Sequence, residues 1–149
     1  MPHCTAVFVL SSLFSHRCSL EGMRILRGAE GMTQRGSADW FDGEVWMQPL
    51  IGADDSPSQR SSVVSFAAGA RNAWHTHPRG QMLFILSGIC QIQREGGPIE
   101  QLTAGDAVWF APGEKHWHGA TPGHPMVHLA VQEADERGEV VTWLEHVSK

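Results

Sequence analysis

The sequence predicts an all-β single domain, a small antiparallel β-barrel or jelly roll, and three observations carry that expectation. Among 149 residues there are 16 Gly and 8 Pro, a density of turn formers that suits short strands rather than long helices. From Trp40 onward short apolar runs recur with turn residues between them, the pattern of a sandwich or barrel. The length is that of one domain, enough to bury roughly two thirds of the surface exposed by the unfolded chain, so neither a disulfide nor a metal is required for folding.

The expected strands are Glu44–Leu50, Ser62–Ala67, Ala73–Thr76, Met82–Ser87, Cys90–Arg94, Ile99–Leu102, Ala107–Phe110, Lys115–Gly119, Met126–Gln132 and Val140–Leu144. Turn chemistry separates them at 53–57, 95–98, 104–106, 112–113 and 121–125. No repeat, linker or second domain interrupts the pattern, and the domain is expected over 23–149. Residues 1–22 are read as an extension. Ala6-Val-Phe-Val-Leu-Ser-Ser-Leu-Phe14 resembles a short signal-peptide core, but no Lys or Arg precedes it and it is too short to span a bilayer. Met23 opens Met-Arg-Ile-Leu-Arg, an alternative start. The extension is therefore a disordered segment, a signal-like segment or a start-site artefact, and the protein is expected in the cytoplasm unless that segment directs secretion.

Composition narrows the function. A chain that is 42% hydrophobic and 18% charged, with a formal net charge of −5 and no basic run, is a soluble-type domain with nothing to grip a phosphate backbone or an anionic membrane. A small molecule is the expected partner. Three cysteines are an odd number; Cys4 and Cys18 lie in the extension, and Cys90, in a strand, reads as a buried inert thiol. In Met82–Leu86 and Met126–Val131 both strand faces are apolar, whereas a solitary barrel turns one of them to water. A second copy of the chain, in a homodimer or larger homo-oligomer, or a terminal segment would cover the outer face.

The chemistry concentrates in histidines. His75 and His77 are two apart, so on a strand they project to one face about 6–7 Å along the chain, within span of one ion. Their context is Gly69-x5-His75-x-His77-x3-Gln81-x6-Gly88, then Gly105-Asp106, then Pro112-Gly113-x2-His116. This resembles the two signature motifs of the cupin superfamily, which implies one divalent metal ion held by His75, His77, Gln81 and His116. The chain departs from the motifs in Gln81, where Glu is usual, in Ala120, where Asn is usual, and in Ala111, which takes a proline slot.

The Gln change bears on chemistry. Three neutral imidazoles and an amide oxygen leave a dication its full charge, whereas a carboxylate would cancel one unit. Such an ion is bound less tightly but polarises anions more, and oxidation to a trication is harder, which tilts the site toward Lewis-acid work. Mn²⁺, Fe²⁺, Ni²⁺ and Zn²⁺ all suit such donors.

His118 follows His116 by two and shares its inward face, while alternation puts His128, Ala130 and Gln132 on one face of the next strand. Two spare imidazoles beside a cation suit acid–base catalysis; the same placement also fits core histidines that orient the ligands. His3, His16, His124 and His146 read as surface residues, and Trp74, Trp109, Trp117 and Trp143 as core or interface.

A closer resemblance rests on Ala-Asp-Trp-Phe-Asp-Gly (38–43), Ala-Trp-His-Thr-His-Pro (73–78), Gln-Arg-Glu-Gly-Gly (93–97), Trp-Phe-Ala-Pro-Gly-Glu-Lys-His-Trp-His-Gly (109–119) and Trp-Leu-Glu-His-Val (143–147). These are similar to the bacterial cupin-type (R)-hydroxynitrile lyases, manganese-containing enzymes that cleave or form cyanohydrins such as mandelonitrile. The resemblance implies Mn²⁺ at His75, His77, Gln81 and His116, catalytic roles for His118 and His128, and a pocket role for Gln132. It leaves open which of the two histidines is the base. The rival readings are a metal-dependent dioxygenase and a non-catalytic cupin that binds a small molecule. No Ser-His-Asp set, Cys-His pair or phosphate loop can be assembled from the chain with comparable economy.

Overall fold

The structure, a computed structural model, describes residues 22–28 and 31–148. The readings of Cys4, Cys18, His3 and His16, and of the extension before Gly22, lie outside the described residues. Within them there is no α-helix, and twelve strands are present: β1 (Gln34–Arg35), β2 (Phe41–Asp42), β3 (Val45–Ile51), β4 (Gln59–Phe66), β5 (Arg71–Asn72), β6 (His75–Thr76), β7 (Gln81–Arg94), β8 (Glu100–Thr103), β9 (Ala107–Phe110), β10 (His116–Ala120), β11 (Met126–Glu133) and β12 (Thr142–Trp143).

All pairings are antiparallel. One sheet runs β1-β3-β4-β11-β7-β9 and the other runs β2-β5-β10-β7-β8, with β6 joining β10 and β12 joining β6. The 14-residue strand β7 belongs to both sheets. Its first half pairs with β11 and β9, its second half with β10 and β8. Gly88 is where it changes sheets: its φ of 77° is a conformation L side chains rarely adopt, and a β-carbon there would overlap the Pro125 carbonyl. Across this bend Val127 faces Ser87 but His128 faces Ile85, so β7 carries one extra residue, a bulge that curls the sheet.

Met82–Ser87 and Cys90–Arg94, expected as two strands, are therefore one bent strand, because the glycine between them bends the ladder without ending it. The expected strand Ala73–Thr76 contains only the short β6, and its neighbour β5 lies just before it. Val140–Leu144 is strand only at Thr142–Trp143, since the Val140 carbonyl receives a histidine ring rather than a ladder partner. Strands β1 and β2 were not expected, being too short to show an alternating pattern.

Alternation along these strands fills the space between the sheets. Val45, Phe66, Leu83, Ile85, Cys90 and Met126 are at most 1% exposed and form its apolar centre. Burial pushes the Cys90 thiol up to about 12, which makes it the inert core residue expected from its strand position. Gly119 lets β5 lie directly behind β10: a β-carbon there would come within 2.5 Å of the Ala70 carbonyl and 2.6 Å of Arg71 Cα. That close approach places Asn72 of β5 beside His118 of β10. The C-terminal run is held to the barrel by Lys115, which bonds Glu145 at 2.6 Å and Glu95 at 2.9 Å and lies over the Trp74 ring. It sets Trp143 against His75, with ring centroids 4.9 Å apart.

Candidate metal centre

Six polar side chains project from the inner faces into one end of the barrel: His75 on β6, His77 just beyond it, Gln81 opening β7, His116 and His118 on β10, and His128 on β11. None is more than 4% exposed. Polar groups buried to that degree normally find partners. Here the partners are arranged in a particular way.

Three of the histidines donate Nδ1–H to a backbone carbonyl: His75 to Ala73 at 2.9 Å, His77 to Val140 at 2.6 Å and His116 to Glu114 at 2.8 Å. A neutral imidazole carries one proton, so each ring is left with a bare lone pair on Nε2. Gln81 is turned by its own partner. Its Nε2 donates to Oε1 of Gln132 at 3.1 Å, which points its Oε1 toward the histidines, 3.2 Å from Nε2 of His116. With Nδ1–H already given to Glu114, that nitrogen has no proton to offer, and two buried acceptors face each other. His77 Nε2 has no hydrogen-bond partner at all. Convergent buried acceptors with no donor among them are what a cation satisfies, and three imidazoles with an amide oxygen fit a divalent transition ion.

The other two histidines differ. His118 meets the Asn72 side-chain amide, 3.0 Å from Nε2. His128 has no hydrogen-bond partner on either ring nitrogen; it packs beside Phe66, and its ring centroid is 5.0 Å from that of His118. By distance alone the tightest triangle of ring nitrogens joins His75, His116 and His118, all within 4.8 Å of one another. The donor from Asn72 already occupies one side of the His118 ring, whereas His77 Nε2 is bare. Distance favours His118 as the third ring, and the chemistry of the two nitrogens favours His77.

Burial keeps all five rings neutral. It lowers His116 and His128 to about 4 and His77 below its ordinary 6.5. His75 and His118 are held well below 6.5, first by burial and then by neighbouring imidazoles. The cavity in front of them has about 440 Å³ of empty space, its open mouth included. Its polar floor is His75, His77, Gln81, His118 and His128, and its walls include Phe41, Met47, Val64, Phe66 and Trp143, with Gln132 at the rim of the polar floor.

All seven residues expected at the site are thus brought to one end of the barrel. Asn72 and the Val140 carbonyl were not expected there, and of the tryptophans Trp143 walls the cavity. Asn72 is a single residue in a short strand, and nothing in its local sequence marks it.

The fold and this cluster define a small double-sheet barrel with a histidine-lined centre of the kind that holds a metal ion. The chain belongs to the cupin family: residues 62–132 match the family model described as a cupin domain, and that span contains every candidate site residue. It is 49% identical over 126 residues to an (R)-mandelonitrile lyase of Granulicella tundricola, an alignment covering 85% of this chain and 95% of that one. It is 33% identical over 91 residues to the dimethylsulfoniopropionate lyase DddQ of Ruegeria pomeroyi, covering 60% of this chain and 45% of the relative. Among solved structures, a cupin-like protein of Thermotoga maritima superposes with a TM-score of 0.72 at 34% identity, covering 77% of this chain and 86% of that one.

The depressed histidines make the metal-free protein acid-sensitive. Folding favours their neutral forms, so the unfolded chain takes up protons first as pH falls. Their stabilising contribution is complete above 6.5 and is lost as pH drops toward about 4. For His116 and His128 the loss is of order 3 kcal/mol each, comparable in sum to the whole stability of a small domain. The denaturation midpoint of metal-free protein is expected to hold steady from pH 8 to 7 and collapse between 6.5 and 4. A flat profile down to pH 4 would contradict the buried neutral cluster.

Proposed function

We propose that the protein is a metal-dependent hydroxynitrile lyase that cleaves cyanohydrins such as mandelonitrile to an aldehyde and hydrogen cyanide, and forms them in reverse. The observation that carries this reading is the pair of buried neutral histidines, His118 and His128, facing an apolar-walled cavity beside four converging acceptors. The (R)-mandelonitrile lyase relative, aligned over 95% of its length, supports the same reaction class, and the DddQ relative is also named as a lyase.

The residues that would hold the ion are His75, His77 and His116 through Nε2 and Gln81 through Oε1. Manganese is the ion the resemblance implies, and Fe²⁺, Ni²⁺ or Zn²⁺ also suit this donor set. When bound, a divalent ion supplies Lewis-acid stabilisation of negative charge at this end of the cavity.

The rest falls to side chains. His128, neutral and without a competing hydrogen bond, takes the hydroxyl proton of the cyanohydrin. As the carbon–oxygen double bond forms, the bond to the nitrile carbon breaks and its electron pair leaves with cyanide. His118 stands within reach of the departing group as a hydrogen-bond donor, and the proton held on His128 returns to give hydrogen cyanide. Val64, Phe66 and Trp143 offer the organic substituent an apolar wall. Purified protein is expected to release benzaldehyde from mandelonitrile, to lose that activity on treatment with chelator and to regain it with Mn²⁺. His128→Ala is expected to keep its metal and lose roughly 10²- to 10³-fold in kcat. Undiminished cleavage by metal-loaded His128→Ala would sink the assignment.

A homodimer is part of the same proposal. On the outer face of the first sheet Phe84 is 38%, Leu86 45%, Trp46 40% and Trp109 59% exposed. Register puts Phe84 and Trp109 side by side, since Met82 lies opposite Trp109 and Phe84 opposite Ala107 and Leu129, while Trp46 lies on the same sheet beyond β4 and β11. No described segment covers it. An apolar sheet face of this kind is buried by a second copy through a twofold axis. Light scattering is expected to give twice the chain mass or a multiple of it, and Phe84→Asp is expected to shift the protein toward monomer; a wild type that stays monomeric at high concentration would contradict this.

A further inference from the structure

Asn72 is 2% exposed on β5, lines the cavity and makes two contacts with the same residue. Its Oδ1 is 2.8 Å from the backbone N–H of His118, and its Nδ2 is 3.0 Å from Nε2 of the His118 ring and 3.4 Å from Nδ1. The first contact dictates the second. A backbone N–H can only donate, so the amide oxygen must face it, and the NH2 group must face the ring. An amide NH2 can only donate in turn, so the ring nitrogen it meets must be bare.

The three histidines beside it are set the opposite way. His75, His77 and His116 each give Nδ1–H to a carbonyl, which leaves Nε2 free to accept. His118 has its Nε2 lone pair consumed by Asn72, so its one proton resides on Nδ1 and its remaining capacity is donation. His128 makes no close hydrogen bond, and the Leu129 backbone beside its ring acts only as an acceptor, so the ring keeps a lone pair.

We infer that Asn72 is a positioning residue that locks His118 in the Nδ1–H tautomer and in one ring orientation, making His118 the donor and leaving His128 as the proton acceptor. The inference rests on the lyase reading for its catalytic consequence but not for its geometry. Asn72 also caps the His118 backbone, a merely structural service, and the two services can be separated. Asn72→Asp keeps an oxygen for the backbone N–H at nearly the same shape, yet presents an acceptor where the amide presented a donor.

The test combines long-range proton–nitrogen correlation spectra of the zinc-loaded protein with steady-state kinetics of the manganese-loaded protein on mandelonitrile. In the wild type His118 is expected to show a protonated Nδ1 and a bare Nε2. Asn72→Asp is expected to remain folded and metal-loaded, to carry a proton on Nε2 of His118, and to lose about 10²-fold or more in kcat with KM changed by less than about threefold. A wild-type His118 protonated on Nε2, or an Asn72→Asp variant with unchanged tautomer and kcat, would overturn the inference. Should the wild type show the expected tautomer but no cleavage of mandelonitrile, the positioning role stands and the lyase reading falls.

Discussion

Three hydrogen bonds from imidazole to backbone set the character of this molecule. The carbonyls of Ala73, Val140 and Glu114 each take the Nδ1–H of a histidine, and so turn three buried rings into acceptors aimed at one place. Without those bonds the rings could choose the other tautomer and satisfy one another. With them, His77 Nε2 has no partner and the Gln81 oxygen faces a bare nitrogen. Buried acceptors left in this state are costly unless a cation joins them.

The barrel makes the convergence possible. Antiparallel alternation puts His116, His118, His128 and Gln132 on inner faces, and the bend of β7 at Gly88 lets one strand serve both sheets that carry them. Phe110 stacks on the His116 ring at a centroid distance of 3.6 Å and Trp143 closes over His75, while His75 and His77 line the cavity. Two of the three carbonyls belong to residues just ahead of the histidine that uses them. The third, Val140, comes from the C-terminal run, which pairs with β6 through Thr142–Trp143 and is tied to Lys115 through Glu145.

Much of this was legible from residue order alone. The spacing of His75, His77, Gln81 and His116, the inward pairing of His116 with His118, and the shared face of His128 and Gln132 all follow from the two-residue period of a strand. The continuity of β7 was hidden, because a glycine between two apolar runs looks the same whether the chain turns or bends. Asn72 was hidden for a different reason. Its role depends on β5 lying behind β10, a contact that Gly119 permits and that no local pattern announces. The exposed face formed by Trp46, Phe84, Leu86 and Trp109 was visible as two doubly apolar strands, though the two tryptophans that extend it come from strands whose own patterns gave no such sign.

Gln81 ties the geometry to the chemistry. Gln132 holds its amide so that a neutral oxygen, rather than a carboxylate, completes the acceptor set, and a dication held there would keep its whole charge. The most direct measurement is the metal occupancy and mandelonitrile turnover of Gln81→Glu compared with the wild type after identical loading and dialysis. The added negative charge is predicted to raise metal retention while lowering kcat by about tenfold or more, a loss of roughly 1.4 kcal/mol or more in transition-state stabilisation. A variant that holds its metal more tightly and turns over as fast as the wild type, or faster, would contradict the account.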